Sequence, residues 1–517
     1  MPSEKVELLF NHLNNRRDEL AFAIDDRQLT FGELDDRALR YAAGLAQLGI
    51  EKGDRVVTIL DSSLELVEIL VGHHRLGAVH VPVNTRYRKE ELTHIIDDAR
   101  PAAVVVGAGL AARKIVGELE LPDSVRNVIV VGNTTLTAHE LSFSEVAKNK
   151  PLAGLPELDD QDLALFIYTS GTTGPSKGVE HTYSSVVSGI DALTRHWQWT
   201  PKDRLVLALP LFHVHGLCIG IHGTLIRGND TIIHQRFDPA KVARAIGRGG
   251  TIFMGVPTMH TRLVAAMDND PELAEAMSNA RLITSGSAAL REDIFRRYEE
   301  LTGQRILERY GMSETMLTIS NPYEGERRRG SVGFPVPGTE VRIADEEDKP
   351  LGPGEVGEIQ VRGPSVMRSY WGLPEKTACQ FTVDRFFRTG DVGRRDKDGY
   401  IYIVGRRSVD IIKSGGFKIS AREIEGVLRR HPDIDDVGVV GLPDEEWGQR
   451  IAAAIVPANG IIRTSEQWAS QLATLCEEHL ADFKRPREFF TYSDGLPRNA
   501  LGKVQKHRII EDLQKIS

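Results

Sequence analysis

The chain has 517 residues, which exceeds one ordinary domain and is enough for roughly three. Its 64 basic and 73 acidic residues give a net charge of −9, so the composition excludes a strongly basic surface of the kind that binds nucleic acid or an anionic membrane. With 41% hydrophobic and 26% charged residues, the composition is typical of a soluble α/β enzyme and excludes a disordered or fibrous protein.

Helical and strand patterns alternate through the part of the chain that precedes residue 290. Helical patterns lie near residues 31–48 and from Leu64 onward. Apolar strand patterns occupy residues 55–60, 79–83, 102–106, 163–170, 204–210, 250–256 and 280–286. Strands that alternate with helices in this way usually form parallel sheets with crossover helices. We therefore predict an α/β body.

The pattern changes twice in the rest of the chain. From about Gly330 the strands are short and separated by glycine and proline, which predicts a β-rich antiparallel appendage. Beyond Arg406 the helix and strand patterns lie at residues 421–432, 436–442, 450–457 and in the 470s. We predict a large N-terminal body of mixed and parallel sheets with flanking helices over residues 1–405. A small, mobile α+β domain is predicted over residues 406–517.

The cysteines and the apolar stretches indicate the cellular compartment of the protein. Cys218, Cys379 and Cys476 are too far apart for a disulfide scaffold or a metal-ligand motif, which favours a reducing compartment. Charged residues interrupt every apolar stretch near the N-terminus, so no secretory signal is predicted. Residues 205–226 are uncharged, but they contain Pro210 and three histidines and are predicted to be buried core and site lining. We expect a cytoplasmic protein without a membrane span.

Residues 168–178, with the sequence YTSGTTGPSKG, predict a phosphate-binding loop. Glycines, hydroxyl side chains and one lysine allow backbone N–H groups and side chains to point at phosphate oxygens. The loop is not a Walker A motif, because Ser176 precedes Lys177 and Gly178 follows it. A surface turn is the alternative for a generic glycine-rich loop, but the full eleven-residue string favours nucleotide binding.

Five further motifs follow in order. They are TSGSAAL at 284–290, ERYGMSET at 308–315, FRTGD at 387–391, GRRSVDIIKSGG at 405–416 and LPRNALGK at 496–503. Together with the loop, they resemble the signature motifs of the adenylate-forming superfamily, which comprises acyl-CoA synthetases, carrier-loading adenylation domains and luciferases. The resemblance covers nearly the whole chain.

The resemblance implies an ATP site with Mg²⁺. It assigns Asp391 and Arg406 to the ribose, and Glu314 with Thr169 to the metal. The remaining residues that it implies for ATP are Ser170, Gly171, Thr172, Thr173, Gly174, Lys177, Ser287, Ala288, Ala289, Tyr310, Gly311, Met312 and Ser313. Without the resemblance, Asp391 is equally typical of a turn cap, Glu314 of a helix start and Tyr310 of a core. A hard cation such as Mg²⁺ does suit a lone carboxylate with phosphate oxygens.

Lys503 is implied to be the catalytic lysine. An isolated lysine at this place is usually only solvated. A carboxylate that attacks the α-phosphate of ATP, however, needs a cation between the two anions, and a lysine on a mobile domain can supply it.

The segment after Arg406 is implied to hold the hinge and the coenzyme A loop. The loop residues are Lys413, Ser414, Gly415 and Gly416, whose glycines permit close approach of a pantetheine arm. The segment has one residue more than the common pattern of the superfamily, and we take Ser408 as the hinge.

Arg262 is the candidate for substrate selection. Pro257 fits the first turn of a helix, which places Arg262 one turn after Met259 and beside its apolar stripe. An arginine that extends along a surface helix is the alternative. The strings around Arg262 resemble malonyl-CoA synthetases, which implies that this arginine binds a distal carboxylate, with contributions from His213, Ser287 and Met312. A guanidinium can pair with a carboxylate through two hydrogen bonds.

We therefore predict an ATP-dependent malonate:CoA ligase that forms malonyl-AMP and then malonyl-CoA, with His213 and Glu314 assisting Lys503. Methylmalonate is a secondary substrate. The expected ligands are ATP, Mg²⁺ and coenzyme A, and the expected state is a monomer or homodimer. Alternatives are a synthetase for another short acid, a carrier-loading enzyme, a non-catalytic nucleotide sensor and a P-loop ATPase. His215 is interpreted as a hydrogen-bonded core histidine rather than a catalytic one.

Overall fold

A computed structural model describes residues 3–152, 154–169, 176–407, 409–414, 417–445, 447–458, 461, 463–498 and 502–516. The chain divides into two compact units. The larger unit comprises Met1–Glu340 and Val361–Phe387, and the smaller comprises Val341–Gln360 and Arg388–Ser517. Sheets, flanking helices, a β-rich segment and a C-terminal α+β domain are all present, so the predicted fold class is confirmed.

The strands are numbered in chain order. They are β1 (Leu20–Ile24), β2 (Arg27–Thr30), β3 (Arg55–Ile59), β4 (Val79–Pro82), β5 (Ala103–Gly107), β6 (Asn127–Val131), β7 (Glu140–Ser142), β8 (Leu163–Thr169), β9 (Lys177–Thr182), β10 (Arg204–Leu207), β11 (Asp230–Ile233), β12 (Ile252–Gly255), β13 (Leu282–Ser285), β14 (Leu307–Met312), β15 (Met316–Ser320), β16 (Phe334–Pro335), β17 (Glu340–Ala344), β18 (Val356–Arg362), β19 (Ser369–Tyr370), β20 (Phe387–Arg395), β21 (Ile401–Arg406), β22 (Ile411–Ser414), β23 (Phe417–Ser420), β24 (Ile434–Asp444), β25 (Gly448–Pro457) and β26 (Glu488–Thr491).

The helices are numbered in the same way. They are α1 (Glu4–Asn15), α2 (Phe31–Gln47), α3 (Leu64–Leu76), α4 (Lys89–Ala99), α5 (Ala111–Glu118), α6 (Phe143–Val146), α7 (Tyr183–His196), α8 (Gly223–Arg227), α9 (Pro239–Gly247), α10 (Pro257–Asn269), α11 (Pro271–Ser278), α12 (Glu292–Thr302), α13 (Pro374–Gln380), α14 (Ala421–Leu428), α15 (Ser465–His479) and α16 (Lys506–Ile516). A π-helix spans His215–His222, and a 3₁₀ turn spans Asp482–Lys484.

The larger unit contains two sheets. One has the strand order β16-β15-β14-β13-β12-β10-β11-β1-β2, and the other has the order β19-β9-β8-β4-β3-β5-β6-β7. Strands β10 to β14 pair with one another in parallel, and so do β3 to β8. The pairs β1–β2, β14–β15, β15–β16, β8–β9 and β9–β19 are antiparallel. The prediction of parallel strands with crossover helices is therefore confirmed.

One continuous core of buried side chains extends over both of these sheets. Helix α3 lies within it, and nearly every side chain of α3 is buried, including those of Glu68, His73, His74 and Arg75. Local signals fix the helix starts: Thr30 and Glu33 form a capping box at α2, and Pro257 occupies the first turn of α10 as predicted.

Residues 205–226 are buried as predicted, but their form differs from ordinary sheet and helix. After β10 the chain enters the π-helix, in which every residue is buried. Hydrophobic periodicity cannot distinguish such a segment from an α-helix, because both are apolar throughout. No helix in the described part of the chain is long and apolar enough to cross a membrane.

The smaller unit combines a four-stranded sheet, ordered β17-β18-β20-β21, with the α+β domain. In that domain β24 pairs antiparallel with β25, β25 pairs parallel with β26, and α14 and α15 pack around the buried Trp468. The strands before residue 406 thus pack with the residues after it. The boundary at 405/406, expected to act as the hinge, stays a prediction.

Candidate active site

The phosphate-loop residues lie between two adjacent antiparallel strands. Strand β8 ends at Thr169 and β9 begins at Lys177, and these two residues are paired across the ladder. Tyr168 donates a hydrogen bond to Asp98 (2.6 Å), and His94 contacts the carbonyl oxygen of Ser176 (2.7 Å). Both ends of the loop are therefore fixed. The predicted phosphate ligands Ser170, Gly171, Thr172, Thr173 and Gly174 lie outside the described residues.

Tyr370 joins two predicted site residues of the larger unit. The ammonium of Lys177 lies 4.9 Å from the centre of the Tyr370 ring, and the Tyr370 hydroxyl donates to Oε1 of Glu314 at 2.9 Å. Glu314 is only 6% exposed. Sequence reasoning missed Tyr370, because its position depends on the pairing of β19 with β9, which joins segments almost two hundred residues apart.

Oxygen donors suited to Mg²⁺ are present in the larger unit. The Thr169 hydroxyl is buried and has no hydrogen-bond partner among the described residues, and Glu314 supplies a buried carboxylate. The described residues include no group of three or more His, Cys, Asp or Glu side chains that could hold a metal. This composition fits Mg²⁺, which takes few protein ligands when phosphates and water complete its shell.

The predicted adenine-side loop follows β13. Ser287, Ala288 and Ala289 are exposed, and Ser287 has the uncommon φ of 71°. A non-glycine residue in this conformation indicates a backbone held by its surroundings. A Cβ on Gly286 would lie 2.3 Å from the guanidinium of Arg309, so the loop lies directly against that arginine.

Arg309 is the most informative residue that sequence reasoning missed. It is 5% exposed, and its Nε and Nη2 atoms have no hydrogen-bond partner among the described residues. Burial lowers the pKa of Arg309 to about 9. A buried charge without a partner is costly, and such a cost is characteristic of a site that awaits an anion. The available signal was the position of Arg309 within the motif ERYGMSET, next to Glu308 in β14.

Two histidines share the electrostatic environment of Arg309. Burial and the charge of Arg309 lower the pKa of His213 to about 4 and place the pKa of His215 well below its ordinary value. Both imidazoles are therefore neutral near pH 7. His215 is buried as predicted, but neither of its ring nitrogens has a hydrogen-bond partner among the described residues. The interpretation of His215 as a hydrogen-bonded core residue is therefore wrong.

Arg262 lies on α10 and is exposed. Its guanidinium is 5.0 Å from the centre of the Phe237 ring, and the adjacent turn of α10 contributes the half-buried Met259. The position beside the apolar stripe is as expected. Tyr310 and Met312 are half-buried near the end of β14, and the Tyr310 hydroxyl lies 4.0 Å from the Met312 sulfur.

The predicted ribose ligands and the catalytic lysine come together in the smaller unit. Asp391 on β20 and Arg406 on β21 are cross-strand neighbours, with Arg406 Nε 3.6 Å from Asp391 Oδ1. Lys503 lies near enough for both charges to act on it. Crowding by the protein and the charge of Arg406 lower the pKa of Lys503, whereas Asp391 opposes the shift. A hundred residues of sequence separate Arg406 from Lys503.

The predicted coenzyme A loop lies between β22 and β23, which pair antiparallel. Lys413 is exposed, its backbone N–H donates to Gln449 (2.7 Å), and Ser414 is buried. Gly415, Gly416 and the predicted hinge residue Ser408 lie outside the described residues.

Comparison with known proteins identifies the family. The sequence profile of AMP-binding enzymes matches residues 9–371, more than half of the chain, and that of the AMP-binding enzyme C-terminal domain matches residues 423–503. The chain belongs to the AMP-binding enzyme family. The predicted resemblance to adenylate-forming proteins is thereby confirmed.

Three AMP-binding enzymes illustrate the similarity. Malonate–CoA ligase from Arabidopsis thaliana is 33% identical over 548 residues, which covers 99% of this chain and 89% of the relative. The crystal structure of ATP-bound MatB from Rhodopseudomonas palustris has a TM-score of 0.91 and 35% identity, with 100% of both chains covered. A malonyl-CoA ligase ternary product complex with methylmalonyl-CoA and AMP bound has a TM-score of 0.66 and 39% identity, and covers 94% of this chain and 98% of the other.

The predicted site residues of this AMP-binding enzyme thus form two groups, one in each unit. Thr169, Lys177 and Glu314 belong to the larger unit, and Asp391 and Lys503 belong to the smaller. Arg309 and Tyr370 extend the predicted set.

Proposed function

We propose that the protein is an ATP-dependent malonate:CoA ligase. Malonate and ATP give malonyl-AMP and pyrophosphate, and the thiol of coenzyme A then displaces AMP to give malonyl-CoA. The buried Arg309 guanidinium, which lacks a hydrogen-bond partner among the described residues at Nε and Nη2, carries this proposal. The similarity to proteins named malonate–CoA ligase supports it.

Arg309 accounts for the choice of a dicarboxylate. One carboxylate of malonate is activated, and the other enters the site as a charge that must be paired to offset its desolvation. Arg309 lies against the loop at Gly286 and near the neutral His213, which adds no second positive charge to the site. Arg262, exposed on α10, is the second candidate cation, with Ser287 and Met312 as further contacts. Methylmalonate is proposed as a secondary substrate.

Lys503, Asp391 and Arg406 are proposed to act in adenylation. Asp391 and Arg406 hold the ribose hydroxyls, and the ammonium of Lys503 lies between the attacking carboxylate and the α-phosphate. This arrangement reduces the repulsion of two anions where charge develops. The reduced pKa of Lys503 reflects a crowded, partly desolvated ammonium, whose electrostatic effect is larger than in water.

Mg²⁺ is proposed to bind at Thr169 and Glu314. The hydroxyl and the carboxylate are hard oxygen donors, and Tyr370 orients the carboxylate by donating to it. When bound, the ion neutralises phosphate charge and helps pyrophosphate to leave. Lys177, the loop of residues 170–174, and the Tyr310 to Ser313 segment are proposed to contact the nucleotide.

Residues 413–416 are proposed to admit the pantetheine arm of coenzyme A, with Ser408 as the hinge and residues 406–517 as the mobile domain. A cytoplasmic location and a monomeric or dimeric state stay predictions.

The proposal is tested by the acid specificity of CoA-dependent pyrophosphate release. We expect malonate to give the highest kcat/KM, followed by methylmalonate, with succinate, acetate and octanoate far lower. Arg262→Ala should reduce malonate activity, and AMP rather than ADP should accumulate. The malonate assignment is wrong if octanoate is preferred.

The role of Lys503 has its own test in the two half-reactions. Lys503→Ala should lower malonate-dependent ATP–pyrophosphate exchange to a small, measurable residual rate and spare formation of malonyl-CoA from supplied malonyl-AMP, because the second step places no carboxylate against the α-phosphate of ATP. An equal loss of both half-reactions would contradict this role.

A further inference from the structure

A buried ion cluster lies in the smaller unit, next to the proposed adenylation residues. The Lys506 ammonium is 2.5 Å from Asp410 and 2.6 Å from Glu425, and all three side chains are at most 8% exposed. Arg422 adds a second cation, with its Nε 3.1 Å from Asp410. Arg429 adds a third cation, with its Nη2 3.7 Å from Glu425. Two carboxylates thus face three cations. Burial alone would raise the pKa of the Asp410 carboxyl, but Lys506 and Arg422 hold it well below its usual value.

The members of this cluster come from three separate segments. Lys506 is the first residue of α16 and lies three residues after Lys503. Glu425 is on α14, where its carboxylate also accepts the backbone N–H of Val439 at 2.9 Å. Asp410 lies four residues after Arg406, and it accepts the backbone N–H of Arg406 at 2.9 Å. One buried carboxylate therefore contacts both the start of α16 and the end of β21.

Other contacts fix the base of the Lys503 segment on β24. The backbone N–H of Gln505 donates to the carbonyl of Pro497 (2.7 Å), and Arg498 donates to the carbonyl of Gly502 (2.5 Å) and pairs with Asp436. These bonds connect the two ends of the segment with each other and connect the segment with β24. The Lys506–Asp410 pair connects this segment to the backbone of Arg406, because Asp410 also accepts the Arg406 N–H.

We propose that Lys506 is a positioning residue that holds Lys503 in register with Arg406 and Asp391 for the adenylation step. The inference rests on the proposed catalytic role of Lys503. A buried ion pair is weak as a source of stability, but one ammonium in short contact with carboxylates of two different segments specifies one arrangement of those segments. The rate of a catalysed step falls by a large factor when a catalytic group is displaced by about 1 Å. A residue that fixes the Lys503 segment therefore contributes to the rate of adenylation.

The first test is Lys506→Met, which keeps the length of the side chain and removes its charge. We expect kcat for malonate-dependent ATP–pyrophosphate exchange to fall at least about 10-fold, with KM for malonate and ATP nearly unchanged. Thioester formation from supplied malonyl-AMP should change by less than about 3-fold. Lys515→Met is the matched control, because Lys515 lies on the same helix and is exposed. An equal loss in both half-reactions would overturn the proposal.

The second test is a double-mutant cycle with Lys503→Ala. If Lys506 acts through Lys503, Lys506→Met causes no further loss of exchange in the Lys503→Ala background. An additive loss would show that Lys506 acts independently and would overturn the inference. If Lys503→Ala alone leaves exchange intact, the proposed catalytic role of Lys503 fails instead, so the two failures are distinguishable.

A third variant separates positioning from folding. Lys506→Met leaves the two buried carboxylates with Arg422 and the more distant Arg429, and the loss of the close Lys506 contacts can prevent folding. The double variant Lys506→Met/Glu425→Gln removes one cation and one anion, and leaves the Asp410–Arg422 pair. We expect this variant to unfold near the wild-type Tm and to retain the selective loss of exchange. Exchange at the wild-type rate in this variant would overturn the proposal.

Discussion

At the scale of the residue, the buried charge of Arg309 is expected to lower the stability of the fold and to favour binding of an anionic substrate. Side chains in protein cores usually gain stability by burial, whereas a guanidinium that lacks hydrogen-bond partners loses hydration without compensation. Gly286 lies against one side of Arg309, where a Cβ would come within 2.3 Å of the guanidinium. Under the proposed function, a bound carboxylate would compensate for this loss of hydration.

Arg309→Met is therefore expected to have opposite effects on stability and on activity. Removing the unpaired charge should raise the free energy of unfolding by roughly 1–3 kcal/mol. Loss of the buried charge pair should lower kcat/KM for malonate by at least about 30-fold, which corresponds to about 2 kcal/mol. Urea unfolding and pyrophosphate release measure the two effects.

Arg262→Met is the control for Arg309→Met, because it replaces an exposed arginine. This change should leave the free energy of unfolding within about 0.5 kcal/mol of the wild type. If Arg309→Met destabilises the protein instead, the guanidinium has a structural partner and the interpretation of a preformed anion site is wrong.

At the scale of the element, the π-helix His215–His222 determines where His213 lies. The segment begins after Pro210, whose carbonyl oxygen accepts the backbone N–H of His213, and Leu217 N–H donates to the carbonyl of His213. Gly216 is required for this approach, since a Cβ there would lie 2.4 Å from the Pro210 carbonyl oxygen. Helices of this type are rare and are frequent at functional sites.

Gly216→Ala should consequently displace the Pro210 carbonyl and with it His213. We expect a loss of roughly 2–4 kcal/mol in the free energy of unfolding, because the obstructing atom belongs to the backbone. The KM for malonate should rise. Thermal unfolding and steady-state kinetics measure both effects.

Gly117→Ala is the matched control for this change. Gly117 lies in α5, and its Cβ would meet no atom within 4 Å, so alanine should be neutral or stabilise by up to about 1 kcal/mol. A Gly216→Ala protein with wild-type stability would contradict the role given to this close approach.

The elements also show what sequence patterns can and cannot determine. Periodicity located α2, α3 and the parallel strands, because local burial patterns repeat every 3.6 or two residues. Motif residues such as Asp391 and Lys503 were located because they stand in recognisable strings. Tyr370 and Arg309 were missed because their roles depend on pairing between distant strands and on desolvation. Neither property is visible in a local window.

At the scale of the whole molecule, buried neutral histidines make stability depend on pH. The ring nitrogens of His73 and His80 lie 2.9 Å apart, as do those of His74 and His222, and each contact requires one imidazole to donate and the other to accept. Burial lowers the pKa of His73 to about 3 and that of His222 to about 4. All four are neutral in the folded protein near pH 7.

The free energy of unfolding is therefore expected to fall as the pH drops below about 6.5, the histidine pKa of the unfolded chain, and to continue falling toward pH 4. In this range the unfolded chain binds protons that the folded protein excludes, and each buried histidine contributes about 1.4 kcal/mol per pH unit. Glu308, whose pKa burial raises to about 7, acts in the opposite direction, as do Glu68 and Glu358, whose pKa values burial also raises, but these carboxyls are fewer than the buried histidines.

Urea unfolding between pH 8 and pH 5 measures this dependence. His222→Gln should reduce the slope of the free energy of unfolding against pH by about 1.4 kcal/mol per pH unit, which is the contribution of one proton. The control His139→Gln changes an exposed histidine and should leave the slope unchanged. Stability that is constant over this range would contradict the prediction.

The sheet β17-β18-β20-β21 has a consequence for how such proteins exchange parts during evolution. Its strands alternate with residues 361–387 of the larger unit, so the chain passes between the units three times before residue 390. A genetic crossover within this interval would combine strands from two parents in one hydrogen-bonded ladder. A crossover between residues 391 and 406 would in addition separate the inheritance of Asp391 from that of its cross-strand neighbour Arg406. Recombinants that exchange acid specificity should therefore carry their junctions before residue 340 or after residue 406.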